Sequence, residues 1–136
     1  MGIFVNYLSN PFSNLDDNPT TAIVETSLVQ PHTIWVQAII ITNLGNADIG
    51  INLKFVRSTP ATEIFLVKNF SVPAFNNPKE FKDKTLFNTV DLVDVLGIKK
   101  NLQYGIGATE KLICYSNGYT QKFDCCVEYS VLNDLP

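Results

Sequence analysis

Residues Ile34–Asn43 have the sequence IWVQAIIITN and residues Ile49–Phe55 the sequence IGINLKF, with LGNAD between them at Leu44–Asp48. The first run is almost continuously apolar, which predicts a strand buried on both faces or nearly so. The second run alternates apolar and polar side chains, which predicts a half-buried strand. Gly and Asn in the intervening segment favour a turn. We therefore predict that the two strands form a hairpin.

Strand signals of the same kind recur along the rest of the chain. The other predicted strands are Thr20–Val29, Ile64–Ala74, Leu86–Val90, Glu110–Ser116 and Phe123–Leu132. The last two flank Asn117-Gly118, which favours a tight hairpin turn because both residues tolerate positive φ. The final strand should direct Phe123, Cys125, Val127, Tyr129 and Val131 to one face. We predict an all-β fold, an antiparallel β-sandwich (jelly-roll or Ig-like) of about seven or eight strands.

The connections between these strands carry polar and turn-forming residues. Pro31-His32 and Arg57–Ala61 interrupt the strand pattern, and Asn76–Lys84 is a predicted polar loop. The segment Asp91–Lys100 fits two structures. One is a short helix capped by Asp91 with Leu92, Val95 and Leu96 facing inward, and the other is an irregular connection.

The N-terminal segment, residues 1–19, combines turn signals with apolar side chains. Asn10-Pro11 and the DDNP sequence at Asp16–Pro19 predict an irregular arm. An apolar irregular segment should dock on its own domain or on a neighbouring molecule. The candidate assembly contacts are Phe4, Tyr7, Leu8 and Phe12. We accordingly divide the chain into an arm at 1–19 and a β-sandwich domain at 20–136.

Composition narrows the classes of partner. The net charge is −3 and only 17% of the residues are charged. Phosphate binding needs clustered Lys and Arg, and the densest basic stretch, Lys79–Lys84, also contains Glu80 and Asp83, so no nucleic-acid partner is expected. No apolar run has the length of a signal peptide or a membrane span, so we expect synthesis in a cytoplasm and no membrane partner.

The three cysteines allow more than one chemical state. Cys114 and either Cys125 or Cys126 lie about equally far from the centre of the last predicted hairpin, so a cross-strand disulfide is conceivable. An odd number of cysteines and a cytoplasmic origin favour free thiols. A metal site is not expected, because adjacent Cys125 and Cys126 should point to opposite faces of the strand.

No residue pattern indicates catalysis or a cofactor. His32 is the single histidine, follows a proline and has no nucleophile motif near it, so a turn residue is the better interpretation. Gly105-Ile106-Gly107 lacks the rest of a phosphate-binding loop. Trp35 could stack on a carbohydrate together with Phe55, Phe65 and Phe70, but its place in the most apolar strand favours core packing. We expect no enzymatic activity and no small-molecule substrate.

The order of features in Ile34–Ala74 supports a family resemblance. The strand IWVQAIIITN ends in Thr-Asn and leads through a short turn to an alternating strand, and the next strand ends in Val-Pro-Ala. Near the C-terminus, EKLICYSNG precedes a strand carrying Val127, Glu128 and Tyr129. Over about residues 20–132 this resembles the small β-sandwich structural proteins of tailed-bacteriophage virions.

The resemblance implies a function performed by surface contact. We expect a non-enzymatic structural component of the virion (capsid decoration, neck, tail or baseplate), made in the host cytoplasm. Its partners would be other virion proteins and copies of itself. The alternative is a monomeric ligand-binding or glycan-binding module used in host recognition, which predicts aromatic side chains exposed to solvent in loops and affinity for a glycan.

Overall fold

The computed structural model of the chain describes residues 3–26, 32–59, 61–74, 88–98, 101–104 and 109–134. These residues contain nine strands and one short helix. The elements are β1 Ile3–Leu15, β2 Ala22–Glu25, β3 His32–Asn43, β4 Ile49–Arg57, β5 Thr62–Val72, β6 Thr89–Asp91, α1 Leu92–Leu96, β7 Asn101–Tyr104, β8 Glu110–Ser116 and β9 Phe123–Asp134. The all-β prediction is confirmed.

The strands form two antiparallel sheets that enclose the core. The first sheet has the order β1-β9-β3-β6, and β7 also pairs with β3. The second sheet has the order β2-β8-β4-β5. The chain changes sheet at almost every connection, and strands distant in sequence, such as β1 and β9, lie side by side. This strand order is that of a double-sheet jelly roll, one of the two sandwich types that the sequence left open.

Both predicted hairpins are wrong. β3 lies in the first sheet and β4 in the second, and β8 and β9 are divided in the same way. The segments after β3 and after β8 are therefore arches that carry the chain from one sheet to the other. Within the described ranges, β4 and β5 are the consecutive strands that do pair with each other. A hairpin and an arch both place a short turn between two apolar runs, so turn residues alone do not distinguish an arch from a hairpin.

A buried asparagine holds the first arch. Asn43, at the end of β3, is 1% exposed. Its Nδ2 lies 2.9, 3.1 and 3.1 Å from the carbonyl oxygens of Ala47, Val72 and Pro73, so its two N–H groups are shared among three acceptors. Its Oδ1 accepts from the backbone N–H of Gly45 at 2.8 Å. Since Val72 ends β5 in the second sheet, Asn43 connects the two sheets at the point where the chain crosses.

A buried serine has the same role in the second arch. Ser116, at the end of β8, is 1% exposed. Its hydroxyl lies 2.9 Å from the carbonyl oxygen of Gly118 and 2.7 Å from that of Gln121. Its backbone N–H donates to the carbonyl of Asp16 at 2.9 Å, so the arch is also attached to the segment between β1 and β2.

Three asparagines lock the adjacent end of the second sheet. This asparagine cluster joins β4, β5 and the β8 arch: Asn52 Nδ2 donates to Asn117 Oδ1 at 2.7 Å, the Asn69 N–H donates to Asn52 Oδ1 at 2.9 Å, and Asn117 Nδ2 donates to Asn69 Oδ1. Asn69 has φ of 57°, at an irregularity in the β4–β5 register. Gly50 lies against the cluster, and a Cβ there would overlap the amides of Asn69 and Asn117.

The N-terminal segment is not the irregular arm that its turn signals predicted. Residues Ile3–Leu15 form β1, which pairs with β9 from Ile3↔Asp134 to Phe12↔Cys125 without interruption. The turn-forming residues are accommodated because β1 lies at the edge of its sheet among the described strands, where Pro11 need not donate a ladder hydrogen bond. The register shifts between Phe12 and Leu15, where Asn14 has φ of 58° and its N–H donates to Asp124 Oδ1 at 2.9 Å.

The core follows the predicted alternation in β4 and β9. Ile49, Ile51, Leu53 and Phe55 are buried, as are Phe123, Cys125, Val127 and Tyr129, while Val131 packs against them partly buried. The strong strand β3 differs from its prediction, because it is not buried on both faces. Its inner residues Ile39 and Ile41 are fully buried, whereas Trp35 is 45% exposed. The interpretation of Trp35 as a core residue is therefore wrong.

The short helix predicted at Asp91 exists. Asp91 Oδ1 accepts from the N–H of Val93 at 3.0 Å and from the N–H of Ile39 at 3.1 Å, so it caps α1 and also satisfies a backbone donor of β3. Leu92 is fully buried as predicted, but Val95 and Leu96 are exposed. Gly97, with φ of 64°, ends the helix directly after Leu96, so Val95 and Leu96 stay on the solvent side.

Several predictions fall wholly or partly on residues that the structure does not describe. They are the C-terminal part of Thr20–Val29, the loop Asn76–Lys84, the start of Leu86–Val90, and Gly105-Ile106-Gly107.

Candidate functional site

The four predicted contact residues all lie on β1, with different surroundings. Tyr7 is 75% exposed and Leu8 is 45% exposed. Phe12 is partly buried and packs against the core, so its ring contributes to the sandwich itself. Phe4 pairs with Asn133 in the β1–β9 ladder, and its side chain lies outside the described residues. Of the four predicted contact residues, Tyr7 and Leu8 are therefore the two whose described side chains are exposed to solvent.

The first candidate surface is the outer edge of β1. Along one side β1 pairs with β9, and no described strand pairs with its other side. The backbone N–H and C=O groups on that side can therefore bond a strand from another molecule. The bulge near Asn14 limits such pairing toward the end of β1, but the ladder from Ile3 to Phe12 is regular.

The edge of the second sheet at β5 has a related character. Ile64 and Phe65 are 52% and 43% exposed, and the Nζ of Lys68 lies 5.2 Å from the centroid of the Phe65 ring. The Nζ of Lys54 forms an ion pair at 3.1 Å with Glu63, next to these residues. Charged side chains and the irregularity at Asn69 blunt this edge in the way that natural edge strands are usually protected.

The second candidate surface is the outer face of the first sheet. Tyr7 is opposite Ser130 in β9, Ser130 is opposite Trp35 in β3, and Trp35 is opposite Asn101 in β7. Directly opposite residues of antiparallel strands share a face, so these four side chains form one row across the sheet. We call it the Tyr7–Trp35 row. Between the two rings, Ser130 is covered by Gln37, whose Nε2 donates to Ser130 Oγ at 2.8 Å.

This row is the feature that sequence reasoning missed. The predicted aromatic partners of Trp35 lie elsewhere: Phe55 is buried in β4, while Phe65 and Phe70 belong to β5 of the second sheet. The partner that the fold supplies is Tyr7, which is distant in sequence. A signal was present in Gln37, because residues two positions apart in a strand share a face, so a polar Gln37 indicated that the face carrying Trp35 is not buried.

A buried ion pair lies at the other end of the second sheet. Glu110 is 3% exposed, and one of its oxygens accepts from Arg57 Nε at 2.7 Å and also contacts Arg57 Nη2. The N–H of Glu110 donates to Thr26 Oγ1 at 2.9 Å, and a shallow depression lined by Ser58, Thr109 and Lys111 borders the pair. The Arg57 guanidinium balances the charge of the Glu110 carboxylate. The ion pair joins β4 to β8, and the hydrogen bond to Thr26 attaches the end of β2.

The cysteines are free thiols. Cys114 in β8 and Cys125 in β9 meet across the core, because their strands belong to opposite sheets. Hydrogen bonding to Cys125, and then burial, raise the pKa of Cys114 well above its ordinary value. Cys126 points to the outer face and lies 3.2 Å from Ser9 Oγ. Of the two partners considered for Cys114 from the sequence, the structure places Cys125 next to it, and no disulfide joins these two residues.

Asp16 stabilises the turn that follows β1. Asp16 Oδ1 accepts from the N–H of Asn18 at 3.1 Å, and Asp16 Oδ2 lies 3.4 Å from Lys122 Nζ. The hydrogen bond from Asn18, followed by the nearby lysine, lowers the pKa of Asp16 below its usual value. His32 begins β3 and does not lie in a turn. In the parts of the chain that the structure describes, no three His, Cys, Asp or Glu side chains are grouped to hold a metal ion.

Comparisons with protein-family models and with curated proteins gave no match. Across the described residues, no helix has the length and apolar character needed to cross a membrane.

Proposed function

We propose that the chain is a non-enzymatic structural component of a bacteriophage virion, such as a capsid decoration, neck, tail or baseplate protein. It acts by repeated contacts with copies of itself and with other virion proteins. The observation that carries the proposal is the outer edge of β1, with Tyr7 and Leu8 exposed beside it.

The edge supports assembly for a physical reason. A regular edge strand offers a row of backbone donors and acceptors, and a second strand can bond all of them at once. The neighbouring side chain of Leu8 is 45% exposed, so part of its apolar surface contacts water in the single chain. Pairing with a second strand would bury that surface, which is favourable. A stable contact of this kind buries about 800 Å² on each partner.

The virion context rests on the sequence resemblance, and the fold type is compatible with it. Double-sheet jelly rolls occur in viral capsid proteins and in lectins. Fold-level analogy does not by itself decide between such functions.

The assembly part of the proposal is tested with a charged edge. Lysine on an edge strand opposes edge-to-edge pairing, so Leu8→Lys should weaken self-association. Leu44→Lys is the matched control, because Leu44 lies in the first arch and is 46% exposed, almost the same as Leu8 at 45%. Molar mass is measured by size-exclusion chromatography with light scattering over a range of concentrations.

We expect the wild-type chain and Leu44→Lys to form the same oligomer, and Leu8→Lys to be a folded monomer. A wild-type chain that remains monomeric at its highest soluble concentration would contradict self-assembly through β1. Equal masses for the wild type and Leu8→Lys oligomers would contradict the role of the edge. Deleting the strand is a poorer test, because Phe12 packs against the core and Asn10 Nδ2 donates to the Tyr129 hydroxyl at 3.0 Å.

A second candidate function, a ligand-binding module, is favoured by one specific observation. Tyr7 and Trp35 expose aromatic side chains on the same row of the first sheet.

A further inference from the structure

The two exposed aromatic side chains of the Tyr7–Trp35 row have a defined separation. Tyr7 and Trp35 lie on strands that flank β9, so two strand spacings, about 9.5 Å in total, separate their backbones. Tyr7 is 75% exposed and Trp35 45% exposed, whereas Ser130 between them is 1% exposed. The row therefore presents two rings above a closed polar floor.

The groups around the rings are polar and mostly uncharged. Gln37 lies over Ser130, Asn101 follows Trp35 in the row, and Thr33 lies two residues before Trp35 on the same face. Glu128, opposite Ser9, is the charged side chain of the adjoining row. Among the described side chains of these rows there is no Lys or Arg.

This composition distinguishes a glycan from the other candidate ligands. The buried core of a protein–protein interface is more apolar than the surrounding surface, whereas here the polar side chains of Ser130 and Gln37 lie between the two rings. An anionic ligand would need cationic side chains. A pyranose has one C–H face that packs on an aromatic ring and a rim of hydroxyl groups that hydrogen-bond to amides. Two rings with amide groups between and beside them match two sugar units of one chain.

We propose that the Tyr7–Trp35 row is a binding site for a neutral, linear oligosaccharide. The sugar rings stack on Trp35 and Tyr7, and their hydroxyl groups bond the amides of Gln37 and Asn101. The bond between Gln37 and Ser130 fixes the position of the first amide before the ligand arrives. The site uses the ring of Tyr7 on the face of the sheet, whereas the edge pairing uses the backbone groups of β1 and the side chain of Leu8, so ligand binding does not require the edge pairing.

The chain contains a single tryptophan, which makes the site directly measurable. Tryptophan fluorescence, excited selectively against the five tyrosines, reports on Trp35 alone. The probes are cellohexaose, chitohexaose, xylohexaose and maltohexaose, each titrated into the full chain. We expect at least one probe to shift or enhance the Trp35 emission saturably. Tyr7→Ala keeps the reporter and should weaken that binding by about tenfold or more.

The matched control is Tyr119→Ala. Tyr119 is 71% exposed, close to Tyr7, but it lies in the second arch and away from the row. Its loss should leave glycan affinity unchanged. Trp35→Phe, measured by isothermal calorimetry, should retain more affinity than Trp35→Ala because a smaller ring still stacks.

Three results would overturn the proposal. The first is no saturable change with any probe together with no binding on a broad array of neutral glycans. The second is equal affinity of wild type and Tyr7→Ala. The third is a loss of self-association in Trp35→Ala without glycan binding by the wild type, which would identify the face as a subunit contact. Failure of the Leu8→Lys assembly test would not affect these readouts, so the two proposals fail separately.

Discussion

Replacing Asn43 with alanine tests how much the fold depends on the connection between its two sheets. The substitution removes the two N–H donors of Nδ2, which are shared among three carbonyl oxygens, and the acceptor Oδ1, so the equivalent of three hydrogen bonds is lost. The carbonyl of Val72 is in a fully buried residue, so it loses its side-chain donor without gaining water. One such buried group costs about 1–3 kcal/mol, and each bond whose partner can turn to water costs about 1 kcal/mol.

These contributions predict a loss of roughly 3–5 kcal/mol in the free energy of unfolding. With a urea dependence of about 2 kcal/mol per molar, typical of a small domain, the unfolding midpoint should fall by about 2 M. The measurement is urea unfolding followed by circular dichroism and tryptophan fluorescence. Coincident transitions with the two probes would justify the two-state calculation.

The matched control is Asn88→Ala, a neighbouring asparagine with one longer bond. Asn88 Nδ2 donates to the Asn43 carbonyl at 3.3 Å, and its residue is half-buried. Its loss should cost about 1 kcal/mol or less. If Asn43→Ala is no more destabilising than this control, the first arch is held by apolar packing and the explanation given for it is wrong.

Three further substitutions or treatments test other contacts. Gly50→Ala should destabilise by about 1–3 kcal/mol in the same urea assay, because the added methyl overlaps the asparagine cluster; an unchanged midpoint would show that the cluster moves freely. Asp91→Ala should cost about 2–4 kcal/mol by removing both a helix cap and an acceptor for β3, while exposed Asp94→Ala in the same helix should stay within about 0.5 kcal/mol. In the native protein iodoacetamide should modify Cys126 well before Cys114, because burial and a raised pKa keep the Cys114 thiol protonated; peptide mapping by mass spectrometry would contradict this if both react equally.

The raised pKa of Cys114 also sets the direction of a pH dependence. Its folded pKa lies above the unfolded value of about 8.5, so the unfolded chain loses the proton first as the pH rises. Stability from this group is fully present below that pH and decreases through the alkaline range. Urea midpoints compared at neutral and alkaline pH should show this decrease, and a smaller one in Cys114→Ala.

Periodicity predicted which residues share a face, and little about which strands are neighbours. The inward sets of β4 and β9 follow directly from their alternation. The pairing of β1 with β9 could not be predicted, because it joins the two ends of the described chain and no local signal specifies it. The exposure of Trp35 was missed for the same reason. An apolar strand that lies inside its sheet, between β9 and β7, can still direct one of its faces to solvent.

The two arches suggest how a sheet crossing can be distinguished from a hairpin in such sequences. In a hairpin the ends of both strands bond each other, so their backbone groups need no further partner. Where the chain leaves its sheet those groups lose their strand partners, and a buried side chain must supply new ones. Asn43 follows the inward residues Ile39 and Ile41, and Ser116 follows Cys114 in the same inward register. In such a strand the alternation would place an apolar residue at the last inward position. A short polar residue there therefore indicates an arch. Burying a polar side chain is favourable only when the backbone groups of the turn satisfy its hydrogen bonds.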